Sequence, residues 1–330
     1  MVVLMPILLL ILFGYAANFT VDSATTAVIG ANSAAIGGQL PDFFDVRDDV
    51  SGTDPTELLR SNRVDAVVDT NQTPAKVYLD GSALFVSQSA QLLIGKTGGQ
   101  LTSEVLFNPD LKTSWVLVPA IIGLVMALIG TMITSIGLVR EKEAGTLEQL
   151  AVMPIRPSSV IVGKIAPYFL LALIDITVIT VLGVTLFEVP FNGPVWVFAI
   201  GAVAFLCVVL GLGVLASTVS ATSGQAIQTA MFFMLPQILL SGMIFPLESM
   251  PWAIRWIGQC LPLTYFINIA HGVLLRGAGF LEVWASVAVL ALMATIVLTL
   301  ATLRFRASIT PRQRQRVARG SSPKHSESVA

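Results

Sequence analysis

Apolar residues run in long stretches at roughly 1–17, 115–138, 165–187, 195–219, 226–246 and 281–303. A stretch of about 20 apolar residues crosses the hydrocarbon core of a bilayer as a helix. The pattern predicts a mainly α, polytopic membrane protein with six transmembrane helices. Residues 18–112, between the first two runs, read differently. "DPTELLRS" predicts a helix start, with Asp54 as N-cap, Pro55 at the first helical position and Glu57 three residues after the cap. "DAVVDT" and "KVYLDGS" predict short strands, the second ending in an Asp80-Gly81 turn. A small α+β domain is therefore expected between helices one and two. Helices two to six then occupy 113–303, and a basic tail occupies 304–330.

Composition agrees with lipid as the main solvent: 55% of residues are hydrophobic, 12% are charged, and the mean hydropathy is +0.81. A net charge of −1, with no basic patch interleaved with aromatics, gives no sign of a nucleic-acid partner. Cys207, Cys260, His271 and His325 are isolated from one another, which makes metal and disulfide readings poor ones. No Ser/His/Asp or paired-carboxylate arrangement marks a catalytic centre.

Basic residues set the orientation. Arg140, Lys142, Arg156 and Lys164 fall in the segment 139–164, and seven more basic residues fall in the tail. These segments are expected on the cytoplasmic side, with both termini inside and the α+β domain outside. Trp115, Trp196, Trp252, Trp256 and Trp284 then all lie at the outer interface, where indole rings anchor among headgroups. The first run, "MVVLMPILLLILFGYAAN", lacks the basic lead of a signal peptide. It reads as a transmembrane helix whose N-terminal part lies further upstream.

The segment between the second and third runs concentrates scarce charge: Arg140, Glu141, Lys142, Glu143 and Glu148 fall within nine residues. Thr146–Met153 predicts a two-turn amphipathic helix, broken before by Gly145 and ended by Pro154, with Leu147 and Leu150 on its apolar edge. So short a helix is not stable alone in water and must lie on a membrane or a partner.

"VREKEAGTLEQLAVMPIRPSSVIVGKIAPY" resembles the cytoplasmic coupling segment of permease subunits in the type-2 ATP-binding-cassette (ABC) family. A second block, "LPQILLSGMIFPLESMPWAIRWIGQCLPLTYFINIAHGVLLRG", is similar to that family's signature at the outer end of helix five and its returning loop, 247–280. The resemblance covers about 115–303 well and the inserted domain loosely. It implies a multi-pass efflux permease of a bacterial inner membrane, with no ATP site and no cofactor of its own. ATP and Mg would sit on a separate ATP-binding subunit, which Arg140, Glu141, Lys142, Glu143, Gly145, Thr146, Leu147, Glu148, Leu150 and Pro154 would engage. A second permease copy or paralogue, membrane lipid and a periplasmic adaptor are the other implied partners. In related permeases the returning loop caps the exit, which makes Gly242, Phe245, Pro246, Pro251, Pro262 and Tyr265 outer-gate candidates. The proline-chopped, apolar loop is expected to re-enter the outer leaflet with non-helical backbone sheltered by protein.

Two features stand apart. Gly95-Lys96-Thr97 has the tail of a P-loop, but Ala90 stands where the motif's first glycine belongs. Asp175 lies mid-run in "LLALIDITVITVLG", where an ionisable group is costly and faces a bundle interior or water. It is read either as a translocation-path or proton-coupled carboxylate, the mark of a secondary transporter or channel, with Gln228 and Gln237 as further path candidates, or as a buried acid bonded to a neighbour such as Gln225, Gln228 or Gln237.

Overall fold

The computed structural model describes residues 21–309 apart from 22, 31–39, 48–53, 98 and 145–156. The first apolar run, residues 145–156 of the charged segment and the tail from 310 onward lie outside the described residues. β1 (Ala24–Ile29), β2 (Phe44–Val46), α1 (Pro55–Arg60), β3 (Ala66–Asp69), β4 (Ala75–Asp80), α2 (Leu84–Gly95) and β5 (Leu101–Leu106) build a small α+β unit. The sheet order is β2-β1-β3-β4-β5. β1 runs parallel to β2 and β3, β3 and β4 are antiparallel, and β4 and β5 are parallel. Alternation along β3 makes two apolar layers. Ala66 and Val68 pack with Val86 and Ala90 of α2, while Val67 packs with Leu58 and Leu59 of α1. The start of α1 is local chemistry: the Asp54 carboxylate accepts from the Thr56 amide at 2.9 Å, and Pro55 needs no donor there. The Asp80-Gly81 turn leads into α2 rather than a hairpin, because the parallel β4–β5 pair needs a crossover.

The rest is helical: α3 (Thr113–Glu143), α4 (Pro157–Leu186), α5 (Val195–Val219), α6 (Ser223–Leu240), α7 (Trp252–Gln259), α8 (Pro262–Leu274) and α9 (Phe280–Ile309). Among the described residues, four helices (α3, α4, α5 and α9) are long and apolar enough to cross a membrane. α7 and α8 meet the same test only together, as a pair bent by 76°. Six spans are expected; among the described residues four qualify, or five with the bent pair, and the first expected run lies outside them. The run at 226–246 becomes α6, an 18-residue helix whose Gln225, Gln228 and Gln237 reduce its apolarity.

α5 is apolar on all sides and occupies the middle of the bundle, with α3 and α9 as its main neighbours. Small residues bring these helices together. A Cβ on Gly211 would lie 2.7 Å from Val297 of α9, and one on Gly213 would lie 2.9 Å from the Thr131 carbonyl of α3. Phe205 of α5 stacks on Phe266 of α8 with centroids 4.6 Å apart, both fully buried. Gly213→Val is expected to force α3 and α5 apart at a cost of about 1–3 kcal/mol, seen as a lower unfolding temperature in detergent. α4 and α9 lie at the periphery. Leu171, Ile174, Val178 and Val181 on α4, and Leu292, Ile296, Leu300 and Leu303 on α9, are exposed at helical spacing.

Candidate functional site

α3 links the two ends of the bundle. Its 31 residues span about 46 Å at 1.5 Å per residue, more than a hydrocarbon core of about 30 Å. One end therefore projects past the apolar layer and carries Arg140, Glu141, Lys142 and Glu143. Two of these charges close onto the turn between α5 and α6. The Glu143 carboxylate accepts from the Ser223 amide at 3.0 Å and from its hydroxyl at 2.7 Å. Lys142 Nζ donates to the Ser220 carbonyl at 3.3 Å. Ser223 is the first residue of α6, and its amide is one of the four that a helix cannot satisfy internally. A carboxylate from another helix fills that role and meets the positive end of the α6 dipole. Thr222 completes the cap by accepting from the Gln225 amide at 3.3 Å. Gly145, Thr146, Leu147, Glu148, Leu150 and Pro154 lie outside the described residues.

Halfway along the bundle, Asp175 is half-exposed on α4, beside Ile174 and Val178. No hydrogen bond joins it to the glutamines expected as its partners. The main neighbours of α4 are α3, α5 and α9, whereas α6, which carries those glutamines, packs chiefly on α3, α5 and α7. Gln225 instead accepts from the Ala221 amide at 2.8 Å, and Gln228 is exposed. Gln237 is buried, and its side-chain oxygen has no partner among the described residues.

At the other end the structure brings the outer-gate candidates into one apolar cluster and its flanking hairpin. Phe245 packs with Leu239, Leu240 and Met250, and Gly242 turns the chain at φ +87°, a region open to glycine. The returning segment is helical rather than irregular, which corrects the sequence expectation. Its prolines sit at helix starts, where a missing amide costs nothing: Pro246 precedes a 3₁₀ turn at Leu247–Ser249, Pro251 precedes α7, and Pro262 begins α8. The bend between α7 and α8 is held by side chains of α8 that reach back. Thr264 Oγ1 donates to the Gly258 carbonyl and Tyr265 Oη to that of Gln259, both at 2.7 Å. Beyond α8, Arg276 pairs with Asp80 of the sheet unit at 3.3 Å. Sequence reasoning missed this pair and the Glu143–Ser223 contact. Neither had a local signal, since the partners lie 196 and 80 residues apart.

The sequence that folds into this bundle, hairpin and α+β unit has relatives among known proteins. The sequence model of the ABC-2 family transporter protein matches residues 1–303. The "Probable multidrug ABC transporter permease YbhR" of Escherichia coli K12 is 28% identical over 320 residues, covering 86% of this chain and 87% of that protein. "Inner membrane transport permease YhhJ" of the same strain is 34% identical over 216 residues, 63% of this chain and 56% of that protein. "ABC transporter G family member 20" of Dictyostelium discoideum is 31% identical over 188 residues, covering 56% of this chain and 26% of that protein. No solved structure matches. With the family's pattern running unbroken from residue 1 to 303, through the sheet unit, the bundle and the hairpin alike, the chain belongs to the ABC-2 family of transporter proteins.

Proposed function

We propose that this chain is the membrane permease of an ABC exporter. It would move a hydrophobic or amphipathic substrate of the drug, lipid or glycan class out of the cytoplasm or inner leaflet. ATP and Mg are bound by a separate ATP-binding subunit, and two permease copies or paralogues form the path across a bacterial inner membrane. The charged end of α3 faces the cytoplasm and the sheet unit faces outward, where a periplasmic adaptor has room to receive cargo.

The observation that carries this reading is the clamp of Glu143 and Lys142 on the α5–α6 turn. A push on the segment after α3 reaches the N-terminus of α6 directly. The opposite end of α6 carries Leu239 and Leu240, which pack on Phe245 and Met250 at the exit hairpin. A lever at one end and a gate at the other thus share one helix. The exposed apolar faces of α4 and α9 suit lipid and a second permease. Co-purification with an ATP-binding-cassette subunit of the same organism, followed by ATPase rates in lipid vesicles, tests the proposal. A chain that binds no such subunit would sink it.

An ion- or proton-coupled mechanism is the second reading, favoured by Asp175 lying mid-span without a hydrogen-bond partner among the described residues. Under the exporter reading, Asp175→Asn is expected to leave complex assembly and ATPase rate within about twofold, because the amide keeps the shape and removes only an ionisable group that the bilayer disfavours. A dye trapped inside the vesicles checks for accompanying proton movement, which the native complex should not show. ATP-independent proton flux that Asp175→Asn abolishes would favour the second reading instead.

A further inference from the structure

Asp80, Gly81 and Ser82 form the joint between the sheet unit and the bundle. On one side the joint is tied to α3. Asn108 is fully buried; its amide nitrogen donates to the Gly81 carbonyl at 3.3 Å and to that of Lys112 at 3.1 Å. Its oxygen accepts from the Lys112 amide at 2.9 Å, at the residue that precedes α3. Gly81 itself donates to the Leu106 carbonyl at 2.9 Å, and any Cβ there would lie 2.7 Å from that oxygen. The sheet unit must therefore follow α3.

On the other side the joint is tied to the exit hairpin. Arg276, just past α8, donates to Asp80 Oδ2 at 3.3 Å and to Asn62 Oδ1, while Arg60 Nε donates to the Arg276 carbonyl at 3.1 Å. The side chains of Arg276 and Asp80 are only 5% and 2% exposed. The same end of α8 is held by the bundle. Asn192 Nδ2 donates to the Leu275 carbonyl at 2.9 Å, and His271 Nε2 donates to the Val116 carbonyl of α3 at 2.8 Å. Of these ties only Arg276–Asp80 is a buried pair of full charges.

We propose that Asp80 and Arg276 are positioning residues that latch the α+β unit to the exit hairpin, so that the unit serves as the outer lever of the transport cycle. The inference rests on the exporter reading above, because motion of α3 driven by the ATP-binding subunit is what would load the latch. α3 is continuous from the charged end to the joint, so its displacement moves the sheet unit with it. The pair holds the hairpin to the unit at rest and parts when that displacement loads it. A buried ion pair suits such a switch, since it is held firmly when closed and is well solvated once water enters.

The test is amide hydrogen exchange on the permease bound to its ATP-binding subunit in lipid nanodiscs, without nucleotide and after trapping with ATP and vanadate. The amides of Gly81, Ala83, Arg276 and Ala278 are all hydrogen-bonded within the chain and report on the joint. Trapping is expected to speed their exchange by on the order of tenfold, as expected for a local opening, while amides inside α5 stay protected. The neutral pair Asp80→Asn with Arg276→Gln leaves no unpaired charge and so should fold. Its joint is expected to exchange fast with or without nucleotide while ATPase activity persists. Joint exchange that trapping leaves unchanged in the native complex would overturn the latch. So would a neutral pair that keeps the native response. Loss of the complex in the native chain would instead overturn the exporter reading, and it is seen before the neutral pair is made.

Discussion

Replacing Glu141, Glu143 and Leu147 together by alanine is expected to abolish co-purification with the ATP-binding subunit and the ATPase activity that depends on it. Anchors at a small docking surface cost about 1–2 kcal/mol or more each when truncated, and every 1.4 kcal/mol is about tenfold in affinity. Losing the Glu141 and Leu147 anchors alone weakens the complex by about thirtyfold or more, and losing Glu143 adds the release of the α5–α6 turn. The single variants separate docking from transmission. Leu147→Ala removes an apolar anchor and should weaken assembly. Glu143→Ala frees the Ser223 amide and hydroxyl and uncaps α6, at a cost of about 0.5–2 kcal/mol. Its complex should therefore still form but hydrolyse ATP without moving the exit hairpin. Glu104→Ala, in the sheet unit, is the control and should leave both properties intact. A triple variant that binds and hydrolyses like the native chain would show that the segment is a solvated connector.

Asp80→Ala and Arg276→Ala, made singly, are expected to be the most damaging substitutions at the joint between the sheet unit and the hairpin. Each leaves one buried charge without its counter-ion, which costs about 3–5 kcal/mol. Replacing both charges together should cost much less than the sum, because no charge is stranded. Protease sensitivity of the 23–106 region and thermal unfolding in detergent both report the difference. Asn62 accepts from Arg276 with its backbone at φ +54°, a conformation asparagine tolerates better than most residues. Additive single and double losses would mean that the two charges do not interact appreciably in the folded protein.

Much of the secondary structure is local and so was legible. The Asp54 cap acts across two residues, and the prolines at 251 and 262 sit beside helices that they help to start. Reading those prolines as breaks in an irregular loop misjudged their position relative to the helix starts. Glutamine content was also legible in α6, and it sets that helix apart from the four long apolar ones. The partners suggested for Asp175 failed for a different reason. They were chosen by residue type, and residue type does not say that α4 and α6 have different main neighbours. Of the coupling candidates, the charges at 140–143 have a described setting, and two of them hold the α5–α6 turn.

The sequence by itself determined the solvent of this protein, the positions of its longest helices and the cap of α1. These properties follow from hydrophobicity and from contacts a few residues apart. Only the tertiary structure decided that α5 is central, that α3 joins the charged end to the sheet unit, and that Arg276 meets Asp80 across 196 residues. The physical reason lies in the solvent. In water, a polar outer face marks which side of a helix turns inward, but lipid is as apolar as the bundle core. Leu171 facing outward and Leu206 buried in the centre therefore read alike, and neighbours are chosen by close packing of small residues and by polar contacts far apart in the chain.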